Sequence, residues 1–157
     1  MTAAMIIGIG NPDRGDDGVG PFVAERLERL CLPGLTVLRS AGDPADLLAA
    51  WQESRTVIAV DACRSGAGPG ALHRFDAVAE PLPADFGALS THGFGLAAAV
   101  ELARVLNALP GSLTVYGIEV ASFEPGVPLS PAVREAGERL AEKIAQGLRG
   151  DACTKQV

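Results

Sequence analysis

The sequence is poor in the side chains on which many binding and catalytic chemistries rely. Histidine occurs twice, at His73 and His92, and cysteine three times, at Cys31, Cys63 and Cys153. The three thiols are odd in number, far apart and form no C-x-x-C pair, so neither a disulfide framework nor a cysteine zinc site is indicated. Reduced thiols are expected. With two histidines and no H-E-x-x-H an ordinary zincin is excluded, and any metal site must lean on carboxylates. Basic residues are scarce as well. Thirteen Lys and Arg stand against 19 Asp and Glu, a formal net charge of −6, and no Lys/Arg cluster offers contacts to phosphates, which argues against nucleic acid as a partner. No apolar run approaches the ~20 residues of a membrane helix, and the N-terminus lacks a charged region followed by an apolar one. A cytoplasmic monomer without membrane contact is the expectation.

What is present is enough for one core: 157 residues, 48% of them hydrophobic, with no composition shift or linker to divide them. A single α/β domain over 1–149 and a disordered tail over 150–157 are expected. The chain is organised around Gly8-Ile9-Gly10-Asn11-Pro12-Asp13-Arg14-Gly15-Asp16-Asp17-Gly18-Val19-Gly20. This stretch follows the apolar run Met5-Ile6-Ile7 and leads into Val19, Phe22, Val23, Leu27 and Leu30 at helical spacing, so it reads as a strand-to-helix turn. Glycine-rich turns of this kind usually hold phosphate. Here two adjacent carboxylates oppose the positive helix end that an anion needs, and a cation suits the turn better.

Further strands are expected over Leu35–Arg39, Arg55–Asp61 and Leu113–Val120, with Ala71–Phe75 as an edge strand. Helices fall between them. Asp43-Pro44 opens a short one, Ser90 or Thr91 caps a longer one carrying His92, and Ser130-Pro131 caps the last, with a face of Val133, Leu140, Ile144 and Leu148. The alternation implies a three-layer α/β/α sandwich with a mostly parallel sheet of about five strands, phosphorylase/hydrolase-like in outline. In such sheets the ligand crevice lies beyond the C-terminal strand ends, where Asp17, Asp61 and His92 all fall.

Two carboxylates and an imidazole make an open, mixed oxygen and nitrogen donor set that suits a borderline divalent ion such as nickel or zinc. Each residue also has a structural reading. Asp16 or Asp17 fits an N-cap, Asp61 a hydrogen bond to the glycine-rich loop after it, and His92 a cap in the first turn of its helix. His73, in an edge strand, reads as a surface residue, Cys63 as a packed thiol, and Glu119 as lining the same crevice. A dinucleotide site would use Gly8 and Gly10, but Asp13 stands where the third glycine belongs; Arg39 as a partner for a 2′-phosphate is the one feature favouring an NADP-binding module. A Ser-His-Asp set from Ser90 or Ser65 lacks a G-x-S-x-G elbow.

Taken together, the chain resembles the [NiFe]-hydrogenase maturation endopeptidases. The resemblance rests on Gly8-x-Gly10-Asn11-Pro12-x-x-x-Asp16-Asp17-Gly18-x-Gly20, on Val60-Asp61-Ala62 closing the third strand, and on His92-Gly93 opening a helix, with Gly117-Ile118-Glu119 and Gly126-x-x-Leu129-Ser130 later on. It implies removal of a C-terminal peptide from a hydrogenase large-subunit precursor after nickel insertion, with Asp17, Asp61 and His92 binding the nickel that the precursor supplies. No organic cofactor is implied. Many members carry glutamate where this chain has Asp17, a side chain one methylene longer, which leaves direct ligation, ligation through water and sharing with Asp16 open. The same ligands would also serve a metal- or precursor-binding accessory protein without peptidase activity.

Overall fold

The computed structural model describes residues 4–83, 86 and 95–154. The opening apolar run forms β1 (Ala4–Ile9), buried at every residue because strands flank it and helices cover both its faces. The glycine-rich motif does not pass straight into a helix. Gly15–Gly18 is a turn of 3₁₀-helix, and α1 (Val19–Arg29) starts after it. Next come β2 (Leu35–Ser40) and α2 (Pro44–Trp51), capped as its sequence indicated: the Asp43 carboxylate accepts from the Ala45 and Asp46 amides, with Pro44 in the first turn. β3 (Thr56–Cys63), β4 (Leu72–Asp76), α3 (Gly95–Val105), β5 (Ser112–Glu119) and α4 (Pro131–Thr154) follow.

The last helix continues past Gly150, where a disordered tail was expected to begin. One glycine costs a helix only about 1 kcal/mol relative to alanine and does not stop one already propagating.

Among the described residues the strands form one sheet in the order β2-β1-β3-β5-β4. β1 pairs in parallel with β2 and β3, and β3 with β5, whereas β4 runs antiparallel to β5 as an edge. Alternation along the strands builds two cores. Val57, Ala59 and Cys63 of β3 with Leu113 and Val115 of β5 pack beneath Leu47 and Trp51 of α2 and Leu96 and Val100 of α3. Val60 and Ala62 with Tyr116 and Ile118 meet Val23 and Leu27 of α1 and Val133 and Leu140 of α4 on the other face. Three layers result. The chain leaves β1 toward β2 and returns to β3 on the opposite side, so the strand order reverses between β1 and β3. A crevice at their C-terminal ends is where such a sheet binds its ligand.

Candidate functional site

Glycines set the approach of α1 to that crevice. A Cβ on Gly8 would lie 2.4 Å from the Gly20 carbonyl oxygen, and one on Gly20 would lie 2.3 Å from that of Ile9 and 2.6 Å from that of Val60. The start of α1 therefore presses directly on the ends of β1 and β3. Gly10 has φ +142° and a Cβ there would sit 2.0 Å from the Asp17 carbonyl oxygen, so the turn after β1 closes over the 3₁₀ segment only with glycine. The Asn11 amide then donates to Asp17 Oδ2 at 2.9 Å, fixing that carboxylate inside the turn.

Neither aspartate of the motif caps α1. The residue before the helix is Gly18, without a side-chain cap bond, and both aspartates lie inside the 3₁₀ turn, fully buried. They serve different ends. Asp16 Oδ2 accepts from the Ala121 and Ser122 amides and the Ser130 hydroxyl, at 2.8, 3.0 and 2.8 Å, and Oδ1 accepts from the Ser130 amide at 2.7 Å. Four donors tie the loop after β5 to the motif. The Ser130 hydroxyl, expected to cap α4, is spent on this carboxylate; the helix opens instead with Pro131 and the Ser130 carbonyl accepting from Arg134.

Asp61 occupies the β3 position between Ala59 and Cys63, on the face covered by α2 and α3, and is 1% exposed. Its Oδ1 accepts from the following Ala62 amide at 2.8 Å. Burial first, and then the neighbouring charge of Asp17, push its pKa up to about 8, with the Ala62 amide opposing them. Asp17, 44 positions away in sequence, thus lies near enough for its charge to act on Asp61 at the C-terminal end of the sheet.

His92 lies outside the described residues, as do Ser90 and Thr91. The first described residue of α3, Gly95, would place a Cβ 2.1 Å from the Gly42 carbonyl oxygen, just beyond the end of β2, so that helix start packs at the same edge of the sheet.

A second cluster was not apparent from sequence. His73, expected on the surface, points inward from β4: its Nε2 lies 3.0 Å from Glu119 Oε1 and 3.4 Å from Ser65 Oγ, and its side chain is 31% exposed. The Ser65 amide donates to both Glu119 oxygens at 2.9 and 3.1 Å, its hydroxyl donates to Oε1, and the Cys63 thiol donates to Oε1 at 3.7 Å. Burial alone would raise the Glu119 pKa, but the Ser65 bonds and His73 outweigh it and hold the carboxyl below its ordinary value. The Cys63 thiol is pushed up to about 12 by burial and by the carboxylates of Glu119 and Asp61. The period-two pattern of β4 carried the missed signal. His73 shares a face with Phe75, against which its ring stacks at 6.5 Å, while Leu72, Arg74 and Asp76 point outward.

A family model described as hydrogenase maturation protease matches residues 21–147. No curated protein gives a significant match. Among solved structures, the [NiFe] hydrogenase maturation protease HycI from Thermococcus kodakarensis is 31% identical, covering 94% of this chain and 93% of that one, with a TM-score of 0.74. An endopeptidase from Escherichia coli is 25% identical over 95% of this chain and 93% of its own, with a TM-score of 0.80. The hydrogenase maturating endopeptidase HybD, also from E. coli, shares the fold at a TM-score of 0.76 and 24% identity, over 95% and 93% of the two chains. Together with a sheet that places buried aspartates at its switch point, these likenesses settle the family: the chain belongs to the hydrogenase maturation proteases.

Proposed function

We propose that the protein cleaves the C-terminal extension from the precursor of a [NiFe]-hydrogenase large subunit once nickel has been inserted, and that Asp17, Asp61 and His92 complete the coordination of that nickel. The observation that carries this reading is the meeting of Asp17 and Asp61, both buried and electrostatically coupled, at the reversal point of the sheet. Two carboxylates in one buried site repel each other, and a divalent ion between them removes that cost. The engagement of both Asp16 oxygens by four donors supports giving the ligand role in the Asp16-Asp17 pair to Asp17 alone. Asp17 keeps only a short side chain for the task, and the press of α1 on the ends of β1 and β3 supports direct reach.

In this reading the nickel is part of the substrate. Its arrival aligns the precursor over the crevice, and the ion polarises the scissile carbonyl or a water while one of the aspartates takes up a proton. Cleavage is thereby licensed by metal insertion. Nickel-loaded and metal-free precursor, each incubated with the protein and weighed by mass spectrometry, test this directly. Loss of the C-terminal peptide from the loaded form only is the expected result; a loaded precursor of unchanged mass would make the protein a binding accessory, and equal cleavage of both forms would remove nickel from recognition.

A further inference from the structure

We infer that Cys63, His73 and Glu119 form a second site, distinct from the Asp17–Asp61 pair, that binds a zinc-like divalent cation and clips the edge strand to the sheet. One ligand atom from each residue lies within 4.8 Å of the other two. Tetrahedral zinc with sulfur at about 2.3 Å and nitrogen or oxygen at about 2.0–2.2 Å sets its ligands about 3.3–3.7 Å apart. Cys63 Sγ to Glu119 Oε1 is 3.7 Å and His73 Nε2 to the same oxygen is 3.0 Å, so these two separations are within a few tenths of an ångström of what an ion needs.

The backbone holds this arrangement in place. Cys63 pairs with Glu119 in the parallel ladder of β3 and β5, while His73 pairs with Gly117 across β5. Residue 117 is glycine, and a Cβ there would lie 3.1 Å from Cys63 Sγ and 3.2 Å from the Phe86 ring, so a side chain would press on the thiol. Cys63 and Glu119 are 2% and 1% exposed, and the half-exposed His73 beside the exposed loop of Ser65 provides the route in. The ion displaces the Cys63 thiol proton to solvent, and thiolate, imidazole and carboxylate then form a borderline donor set, suited to zinc and cobalt and unsuited to magnesium or calcium. The fourth position falls to Ser65 Oγ or water. Occupied, the site ties β4 and the loop before it to the sheet, two residues along β3 from Asp61.

The test is a cobalt(II) titration of the full chain after dialysis against a chelator. One equivalent with a sulfur-to-cobalt charge-transfer band is expected, and zinc should bleach the band. Cys63→Ser should abolish the band and His73→Ala should weaken binding more than about 100-fold, while Cys31→Ser and Asp61→Asn should keep the band. Absence of the band in the wild-type chain, or its persistence at full affinity in His73→Ala, would overturn the assignment. Because His73 is partly exposed, that variant remains informative even if Cys63→Ser fails to fold.

Discussion

Asp61 and Glu119 are both about 1% exposed and lie near the C-terminal ends of adjacent strands of one sheet, and burial pushes both pKa values up, yet their net shifts are opposite. Glu119 meets the Ser65 amide, the Ser65 hydroxyl and His73, and its pKa falls. Asp61 meets the Ala62 amide and a like-charged neighbour, Asp17, and its pKa rises to about 8. Asp16, one residue from Asp17, resembles Glu119 in its hydrogen bonding: four donors surround it. The difference separates two uses of a buried acid. Where protein donors satisfy the carboxylate it holds loops together; where a second carboxylate lies near it, the cost of burial is left for a cation to offset in the function we propose.

The variant expected to show the largest effect is Asp61→Asn. It should lower the processing rate of nickel-loaded precursor more than about 100-fold, as loss of a ligand exceeds the usual cost of disturbing ligand support. The same change should stabilise the free protein at alkaline pH. An acid whose folded pKa lies above its unfolded value of 3.8 costs stability progressively as pH rises from about 4 to 8, because the unfolded chain loses its proton first. Melting curves of wild type and variant should therefore coincide near pH 4 and separate in favour of Asp61→Asn by pH 8.

Asp16→Ala is the opposite case. It strands three backbone amides and should cost about 3 kcal/mol, a fall in melting temperature of roughly 6–12 °C for a chain of this size. Gly117→Ala should cost less, about 1–2 kcal/mol, through pressure on Cys63 and Phe86. The smallest change is expected from Glu119→Gln, a loss of stability present at neutral pH and above that shrinks as pH falls. A carboxyl whose folded pKa is depressed contributes stability above its unfolded value of 4.5 and loses it as pH falls through the folded value. The variant should lack that acid-side dependence, as thermal melts between pH 3 and 6 would show.

Much of this architecture was legible in the sequence. Buried parallel strands announce themselves as apolar runs, as in Val57–Val60, and Asp43-Pro44 specifies its helix start through local bonds alone. Asp61 stood out because a carboxylate ending such a run has no packing reason to be there. What local pattern could not show was partnership. Asp16 and Asp17 are adjacent, and only the return of residues 121–130 to the motif distinguishes them. His73 likewise looked like an edge-strand surface residue because its partners, Ser65 and Glu119, arrive from a loop and from another strand.

The central claim is that the buried aspartate pair reads nickel on the precursor. Its most direct test is the affinity of wild type, Asp17→Asn and Asp61→Asn for nickel-loaded against metal-free precursor, measured by calorimetry. Wild type should prefer the loaded form by tenfold or more, on the order of 1.4 kcal/mol at least, and both variants should lose that preference while binding the metal-free form as before. An undiminished preference in both variants would place nickel recognition elsewhere in the molecule.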